Sequence, residues 1–479
     1  MFSTTTTLMP HQEPAVAKLL PPRVGAMFMD MGTGKSRTLI ELARMRQAKW
    51  DRLFWFTPCA LRHNVREQLM LHTDLSASDI VMWDSRTLDA GISASARVHI
   101  VGIESMGSSD RTVLAYNAHV TPESFVAIDE SSYIKGNRAK RSQRLTNISA
   151  RCRYRAILTG TPISQGVVDL YSQMSFLSPK ILGYRSFWSF AANHLEYEER
   201  KDPMTGRRFK TGRIIRSHNE DYIAAKLAPY TYQVRKDECM DLPEKLYETR
   251  YCGMTPAQRE LYEEAKDEIL SLDYDDWSPI AIFHLFTSLQ TIVCGFWKRP
   301  SGAVEEVAHT RIRLLIETTR EIADAEPVII WAKYRHAVRQ ICETLAAEYG
   351  PDSVAAYHGD MNDAERVASL AKWREGARFL VATQSIGGHG LTLNEAAYVI
   401  FYADSFKFSE RIQAEDRNHR IGQARRPVYI SLQCPKSIDD RIATALARKG
   451  NALEEFQDRV NEYRRDGLKE RAIEMVRAL

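Results

Sequence analysis

Short apolar runs recur along the chain, each closed by a loop or a helix start. The first series comprises Gly25–Met31 (GAMFMDM), Leu53–Thr57 (LFWFT), Val98–Ile103, Ser124–Asp129 (SFVAID) and Arg155–Thr159 (RAILT). A second opens at Pro327 (PVIIWA) and continues through Val354–His358, Arg378–Thr383 (RFLVAT), Tyr398–Ala403 (YVIFYA) and Pro427–Leu432. Such continuous runs predict strands buried on both faces of a sheet. Helical spacing fills gaps over Ser36–Ala48, Arg335–Tyr349 and Asp363–Arg374. This alternation predicts parallel sheets covered by helices, and two series predict two α/β lobes.

The stretch between the series reads differently. Thr255-Pro256-Ala257-Gln258 has an N-cap threonine, proline at the first helical position and glutamine placed for a capping box. Helical patterning then runs with breaks towards Glu321, which predicts helices inserted on the second lobe. From Glu454 onward, seven acidic and six basic residues fall at helical spacing, so the tail is expected to be a solvated helix.

Composition narrows the class. At roughly 150 residues per domain, 479 residues allow about two to four domains. A chain 44% hydrophobic and 26% charged is globular, not disordered. The net charge of +4 excludes an indiscriminate polycation, so any nucleic-acid site must come from local clustering. Seven scattered cysteines without a C-x-x-C pair argue against a zinc ribbon or a disulfide scaffold and for free thiols in a reducing compartment. No run approaches the ~18 apolar residues of a membrane span, and MFSTTTTLMPHQ is not a signal peptide. A cytoplasmic protein with no membrane partner is expected.

Three segments carry chemistry. Met31-Gly32-Thr33-Gly34-Lys35-Ser36 joins an apolar run to a helix, the context in which backbone N–H groups hold a polyphosphate. Lys35 would reach the β- and γ-phosphates and Ser36 would help hold Mg²⁺. Met29 stands where the full P-loop pattern has glycine, and a P-loop alone leaves kinase, GTPase, transporter ATPase and helicase open. Asp129-Glu130 ends a buried run, where Asp129 suits Mg²⁺ and Glu130 suits the attacking water. In QAEDRNHRIGQ (413–423), Arg417 and Arg420 are three apart and would share one helix face. Spacing leaves two accounts of that face: a basic surface, or arginine fingers to the γ-phosphate.

The order of the motifs resembles that of the Snf2 family within superfamily 2 helicase-like ATPases. Gly32–Ser36, Asp129–Ser132 (DESS), Leu158–Ile163 (LTGTPI), Gly387–Leu393 (GGHGLTL) and QAEDRNHRIGQ are similar to motifs I, II, III, V and VI. His11-Gln12 resembles the adenine-reading glutamine, Pro58–Glu67 (PCALRHNVRE) motif Ia, and Leu242–Lys245 (LPEK) the segment joining the lobes. GLTL with QAEDR most closely resembles the compact branch that contains the annealing helicases.

The resemblance implies two tandem RecA-like lobes with parallel sheets and helical insertions. The first covers 1–235 with a basic insert near 180–230. The second covers 236–479 with a helical insertion near 255–321 and C-terminal helices. ATP and Mg²⁺ are implied, with nucleotide contacts from Gln12, Gly32, Thr33, Gly34, Lys35 and Ser36, metal contacts from Ser36 and Asp129, and water handling by Glu130. Gln413, Arg417 and Arg420 would sense the γ-phosphate. Gly160 and Thr161 would couple the site to DNA, and Gly388 and Gly390 would allow close backbone approach. Departures are Met29 and Asp30 in place of Asp and Glu, Ser132 in place of the motif II histidine, and Phe406-Lys407-Phe408 in place of Trp-Asn-Pro. None removes a catalytic lysine, carboxylate or arginine.

Basic residues cluster twice. Between Ser131 and Val168 there are eight (Lys135, Arg138, Lys140, Arg141, Arg144, Arg151, Arg153, Arg155) and no acids. Arg200–Arg216 holds seven, including Arg207, Arg208 and Lys210, against Asp202 alone, around a hairpin turn at Asp202–Gly206. Two readings of these clusters stand: an ordinary solvated face, or a path that meets phosphates of double-stranded or branched DNA without reading sequence. The expected activity is DNA-stimulated ATP hydrolysis driving translocation along duplex DNA. Alternatives are a strand-separating or branch-migrating helicase, and an ATP-switched DNA clamp. There is no histone-reading domain, no nuclease motif and no indication of a protein partner. With Gln12 so near residue 1, a bacterial or phage protein is expected.

Overall fold

The computed structural model describes residues 1–479 apart from 94, 164–165, 202–205, 300–301 and 385–390. It divides into two compact units, Met1–Asp241 and Leu242–Leu479. The division falls later than 235 because the segment just after that residue is tied back to the first unit. The backbone N–H of Lys236 donates to Asp30 Oδ2 at 3.0 Å.

The first unit is built on a seven-stranded sheet. Its strands are β1 (Val24–Met29), β2 (Leu53–Thr57), β3 (Ile80–Met82), β4 (Val98–Gly102), β5 (Phe125–Asp129), β6 (Tyr154–Thr159) and, after a hairpin of β7 (Leu195–Lys201) and β8 (Arg208–Ser217), β9 (Thr231–Val234). The order is β3-β4-β2-β5-β6-β1-β9, and every pairing is parallel. The strands read as unbroken apolar runs because both faces are covered: Val126 and Ile128 enter one core, Phe125 and Ala127 the other. The hairpin is a separate antiparallel sheet, and its turn at 202–205 lies outside the described residues.

The second unit has a six-stranded parallel sheet of β10 (Leu246–Tyr251), β13 (Val328–Ala332), β14 (Val354–Tyr357), β15 (Phe379–Thr383), β16 (Tyr398–Phe401) and β17 (Val428–Gln433). The order is β10-β17-β16-β13-β15-β14, with β11 (Phe296–Lys298) and β12 (Val304–Glu306) forming a small hairpin apart. Ile330 and Trp331 again face opposite cores.

The helices of this unit differ from expectation in two ways. The helix Arg311–Glu321 is not part of an insertion: Leu315 and Ile316 pack in a core on the main sheet. The helix Pro256–Leu270 starts as its sequence dictates. Thr255 Oγ1 accepts from the Gln258 backbone at 3.1 Å and Gln258 Oε1 accepts from the Thr255 backbone at 3.0 Å. With Pro279–Val293 it shares a core with the C-terminal helices Ile438–Ala447, Ala452–Arg465 and Lys469–Arg477. The tail is therefore not a solvated helix. Its charges mark the outer face, while Phe456, Val460, Ala472 and Val476 are fully buried. Phe456→Ala is expected to cost about 3–5 kcal/mol, read as a lowered urea midpoint; a helix lying free in solvent would lose almost nothing.

Candidate active site

The carboxyl edge of the first sheet gathers three of the sequence-marked segments. β6 lies between β1 and β5, with Phe28 level with Thr159 and Asp129 level with Leu158. Ligands of open parallel sheets bind outside this edge. The loop leaving β1 contains Gly32 and Gly34 at φ 83° and 82°, and the helix Lys35–Met45 begins directly after it. At Gly34 a Cβ would lie 2.1 Å from Gln12 Nε2, so the close approach of Gln12 requires glycine.

Gln12 is fully buried, and both ends of its amide are engaged. Oε1 accepts from Met9 N–H at 2.8 Å, and Nε2 donates to Gly34 O at 3.0 Å. Thr33 donates through Oγ1 to Asp30 O at 2.8 Å, and Ser36 is half-buried in the first helical turn. The Lys35 ammonium donates to Met29 O at 2.9 Å and Asp30 O at 3.2 Å. Both partners are main-chain oxygens, which is why Met29 and Asp30 can depart from the usual side chains without disturbing the lysine.

Asp129 and Glu130 sit at the end of β5. Asp129 is buried, and its Oδ1 accepts the Glu130 backbone N–H at 3.0 Å. Burial, then the neighbouring Glu130, push the Asp129 carboxyl up to about 7, against the pull of Lys35. Glu130 itself is left-handed at φ 52°, a conformation that costs a non-glycine residue about 1–3 kcal/mol and clusters at functional sites. Asp129 and Ser36 are hard oxygen donors, the chemistry Mg²⁺ takes when phosphates and water complete its shell. An uncompensated buried carboxylate fits that role. Among the described residues, no group of three or more His, Cys, Asp or Glu side chains could hold a metal alone.

The link from this edge to the LTGTPI loop runs through residues that sequence reasoning missed. Ser132 is the expected substitute for the motif II histidine, yet the hydroxyl that makes the connection belongs to Ser131. It donates to Gln173 Oε1 at 2.6 Å, and Gln173 Nε2 donates to Pro162 O at 2.8 Å. A second connection is shorter: Thr161 N–H donates to Thr159 Oγ1 at 3.1 Å, and Thr159 Oγ1 donates to Glu130 Oε2 at 3.4 Å. Gly160 sits where a Cβ would press on Met29 O and Met31 N at 3.4 Å. Gln173 is buried in the helix Val168–Leu177, whose LYSQMSFL run reads as ordinary core, so its sequence signal was faint.

In the second unit, the helix Phe408–Glu415 carries Gln413 and ends before the arginines. Arg417 and Arg420 therefore do not share a helix face. They converge by another route: Arg417 Nη1 reaches Leu391 O at 3.5 Å, and Arg420 Nη1 donates to Leu391 O at 3.1 Å and Thr392 Oγ1 at 2.9 Å. The loop is stapled by Asn418, which donates to Ala396 O at 3.3 Å, and by Gln423, which donates to Ala396 O at 2.9 Å and Asn394 O at 3.2 Å. Gly388 and Gly390 lie outside the described residues.

The LPEK segment belongs to the same assembly. Lys245 donates to Glu415 Oε2 at 2.8 Å, as does the Tyr247 hydroxyl, while Arg411 Nε donates to Glu415 Oε1 at 2.8 Å. Burial works to raise the Glu415 carboxyl, but Lys245 and Arg411 outweigh it and hold the group below the usual range. His419 Nε2 also meets Pro243 O at 2.9 Å.

The basic residues after motif II have split duties. Arg144 is paired with Asp110 at 2.6 Å, Arg151 donates to Asn117 O at 2.6 Å and Arg155 to Ser149 O at 2.9 Å, so these three tie the unit's own surface. Arg141 Nε donates to Tyr133 O at 2.7 Å, and Lys135 approaches Asp169 at 3.9 Å. Arg138 and Lys140 are exposed, and the Arg138 guanidinium lies over the ring of Trp188, itself 64% exposed. On the hairpin, Arg207, Arg208 and Lys210 are exposed, with Lys210 over the Tyr197 ring.

A parallel sheet with a P-loop and an acid pair at its carboxyl edge, followed by a second such unit bearing an arginine loop, defines a helicase-like ATPase. The SNF2-related domain matches residues 22–294, and the helicase conserved C-terminal domain matches 310–422. The chain belongs to the SNF2-related family.

Relatives include Protein CHROMATIN REMODELING 4 of Arabidopsis thaliana, 25% identical over 369 residues that cover 72% of this chain and 15% of that protein. An uncharacterized ATP-dependent helicase of Mycoplasma pneumoniae is 24% identical over 68% of this chain and 30% of its own length. The DNA annealing helicase and endonuclease ZRANB3 of Mus musculus is 24% identical over 87% of this chain and 38% of its own. The chain thus spans less than two fifths of each of these curated relatives. The solved Sulfolobus solfataricus SWI2/SNF2 ATPase core in complex with dsDNA aligns over 99% of this chain and 97% of that one, at 20% identity and a TM-score of 0.43. Among the described residues, no helix is long and apolar enough to cross a membrane.

Burial of Asp129 gives a sign that can be tested without nucleotide or metal. Between pH about 4 and about 7 the folded state holds a proton that the unfolded chain has released, so this group's contribution to stability falls as pH rises through that window. Asp129→Asn is therefore expected to raise the melting temperature in EDTA by several degrees at pH about 7.5 and by less at pH about 5.

Proposed function

We propose that the chain hydrolyses ATP in a DNA-stimulated cycle and uses it to move along double-stranded DNA. The observation that carries this reading is the convergence of Lys35, Asp129–Glu130 and the Ser131–Gln173–Pro162 relay at one sheet edge. Lys35 exchanges its carbonyl partners for β- and γ-phosphate oxygens, while Gly32, Thr33 and Gly34 offer backbone N–H groups. Gln12 supports the loop through Gly34 and lies beside the place for adenine. Mg²⁺, held by Ser36 and Asp129 together with the phosphates, supplies neutralisation of the charge developing on the transferred group.

Glu130 orients a water and takes its proton as the water oxygen bonds the γ-phosphorus and the bond to the β-bridging oxygen breaks, leaving ADP and phosphate. In this reading Gln413, Arg417 and Arg420 take the γ-phosphate-sensing role that their motif implies. Such arginines contribute on the order of 10³–10⁵ in rate.

Coupling follows from the relay. Whatever meets the LTGTPI loop pulls on Pro162, and Gln173 passes that to Ser131, directly after Glu130. Arg138, Lys140, Arg141 and Lys135, with Arg207, Arg208 and Lys210 on the hairpin, take the phosphates of duplex or branched DNA. The relative ZRANB3 is named a DNA annealing helicase and endonuclease, which supports a reading in which this chain also acts on branched DNA. The β7–β8 hairpin, a sheet of its own, favours one second reading, a wedge that parts strands at a junction.

ATP turnover with and without duplex is the test. Strong stimulation is expected in the native chain, with turnover falling by about 10³-fold or more in Lys35→Ala, Glu130→Gln and Arg420→Ala. Ordinary turnover in those variants would overturn the catalytic assignment. Gln173→Ala is expected to keep DNA-free turnover but lose most of the stimulation. Affinity for a random-sequence duplex should fall at least about tenfold between roughly 50 and 200 mM salt; a flat response would remove the phosphate-contact reading.

A further inference from the structure

A cavity of about 640 Å³ lies in the helical half of the second unit, lined by residues that play no part in the chemistry above. Four segments wall it: the helix Pro256–Leu270, the helix Ile438–Ala447 with its flanking residues, Glu455 of the helix Ala452–Arg465, and the end of Lys469–Arg477 with the residues after it. Its floor is firmly built. Tyr262 is buried, and its hydroxyl accepts from Ile438 N–H at 2.8 Å and donates to Leu479 O at 2.8 Å. Lys266, also buried, donates to Arg477 O at 3.1 Å and pairs with Glu263 at 2.8 Å.

Charge at the rim is unbalanced. Arg259, Lys436, Arg441, Arg448 and Arg477 all line the cavity, and none makes an ion pair among the described residues. The lining acids do not cancel them. Glu263 is taken by Lys266, whereas Asp440 keeps its charge while accepting the Lys436 backbone N–H at 2.7 Å. Glu455, whose charge is felt at Arg441, and the Leu479 carboxylate are the other lining anions, and the five cations outnumber these three. Arg441 also lies over the Phe456 ring at 5.1 Å, and burial lowers its pKa. Lys436 stands in a left-handed turn at φ 57°, a strained choice for a lysine where glycine or asparagine would be relaxed.

Five cations without ion-pair partners around one cavity call for a compact ligand of several negative charges. Guanidinium forks match phosphate oxygens bidentately. The volume lies within the range of small-molecule sites, about 300–1,000 Å³. Duplex DNA spreads its charge along a rod, one per about 3.4 Å of axis on each strand, whereas this cavity concentrates cations around one space. We propose that it is a binding site for a small oligophosphate, distinct from the nucleotide site of the first unit. A ligand there bridges helices from distant parts of the sequence and so stabilises the helical half by mass action.

Calorimetric titration of the full chain with sodium tripolyphosphate tests this, with Lys35→Ala introduced to silence the P-loop. One saturable site is expected. Its affinity should fall at least tenfold when Arg259→Glu and Arg448→Glu are added, while the same two changes in the otherwise native chain leave DNA-stimulated ATP turnover unchanged. No saturable binding, binding indifferent to the two arginines, or equal binding of sulfate would each overturn the proposal. So would a loss of duplex affinity in the double variant with tripolyphosphate binding intact, which would make the rim a DNA contact. The ATPase assignment is judged separately, on turnover by Lys35→Ala and Glu130→Gln.

Discussion

The constraint on which the catalytic edge depends is that two adjacent carboxylates end a buried strand. Among the described residues neither makes an ion pair. Asp129 accepts its neighbour's backbone N–H, and Glu130 has a left-handed backbone. Lys35, whose charge is felt at Asp129, is nevertheless hydrogen-bonded to carbonyls. A low-dielectric site holding unpaired charge is costly. The surrounding parallel sheet, apolar on both faces, is what holds it in place. In the proposed function, stability given up at this point would provide a cation with a field of the right sign, while Lys35 and the loop N–H groups would face the phosphates.

The second unit solves the opposite problem. Several of its buried charges are paired: Glu415 is shared by Lys245 and Arg411, Arg411 also meets Asp404 at 2.6 Å, and Arg311 meets Asp439 in the core. These pairs fix the LPEK segment, the motif VI helix and the C-terminal helices to one sheet. Only after this anchoring does the chain leave the helix at Glu415 and direct Arg417 and Arg420 to the 391–392 turn. A polar network buried at this density specifies geometry more than it adds stability.

The fold was legible wherever the two faces of a strand are equally apolar. β2 coincides with its sequence run, and the other long central strands lie within two residues of theirs. β3 was missed because it has only three residues. β10 was missed because LYETRY is an exposed edge strand, polar and apolar by turns, made a strand by pairing with β17 far away in sequence. In the site, Lys35, Asp129 and Glu130 were legible because few alternatives explain those residue types after buried strands. The Ser131–Gln173 hydrogen bond was not: it joins residues 42 positions apart, and a lone glutamine in a core helix carries no pattern. The shared helix face of the arginines failed for a local reason. Asn418 and Gln423 find better partners in the 394–396 turn than another helical turn would offer.

The engagement of Lys35 and Gln12 with main-chain oxygens has a thermodynamic meaning for the nucleotide. In the proposed site, binding would be in part a replacement reaction, because Lys35 would yield the carbonyls of Met29 and Asp30 as it takes phosphate oxygens. The affinity contributed by this lysine would then measure the difference between phosphate and carbonyl as acceptors, not the full strength of either. Release is correspondingly easy, because the departing nucleotide leaves behind a loop that closes on itself and not a set of unsatisfied donors.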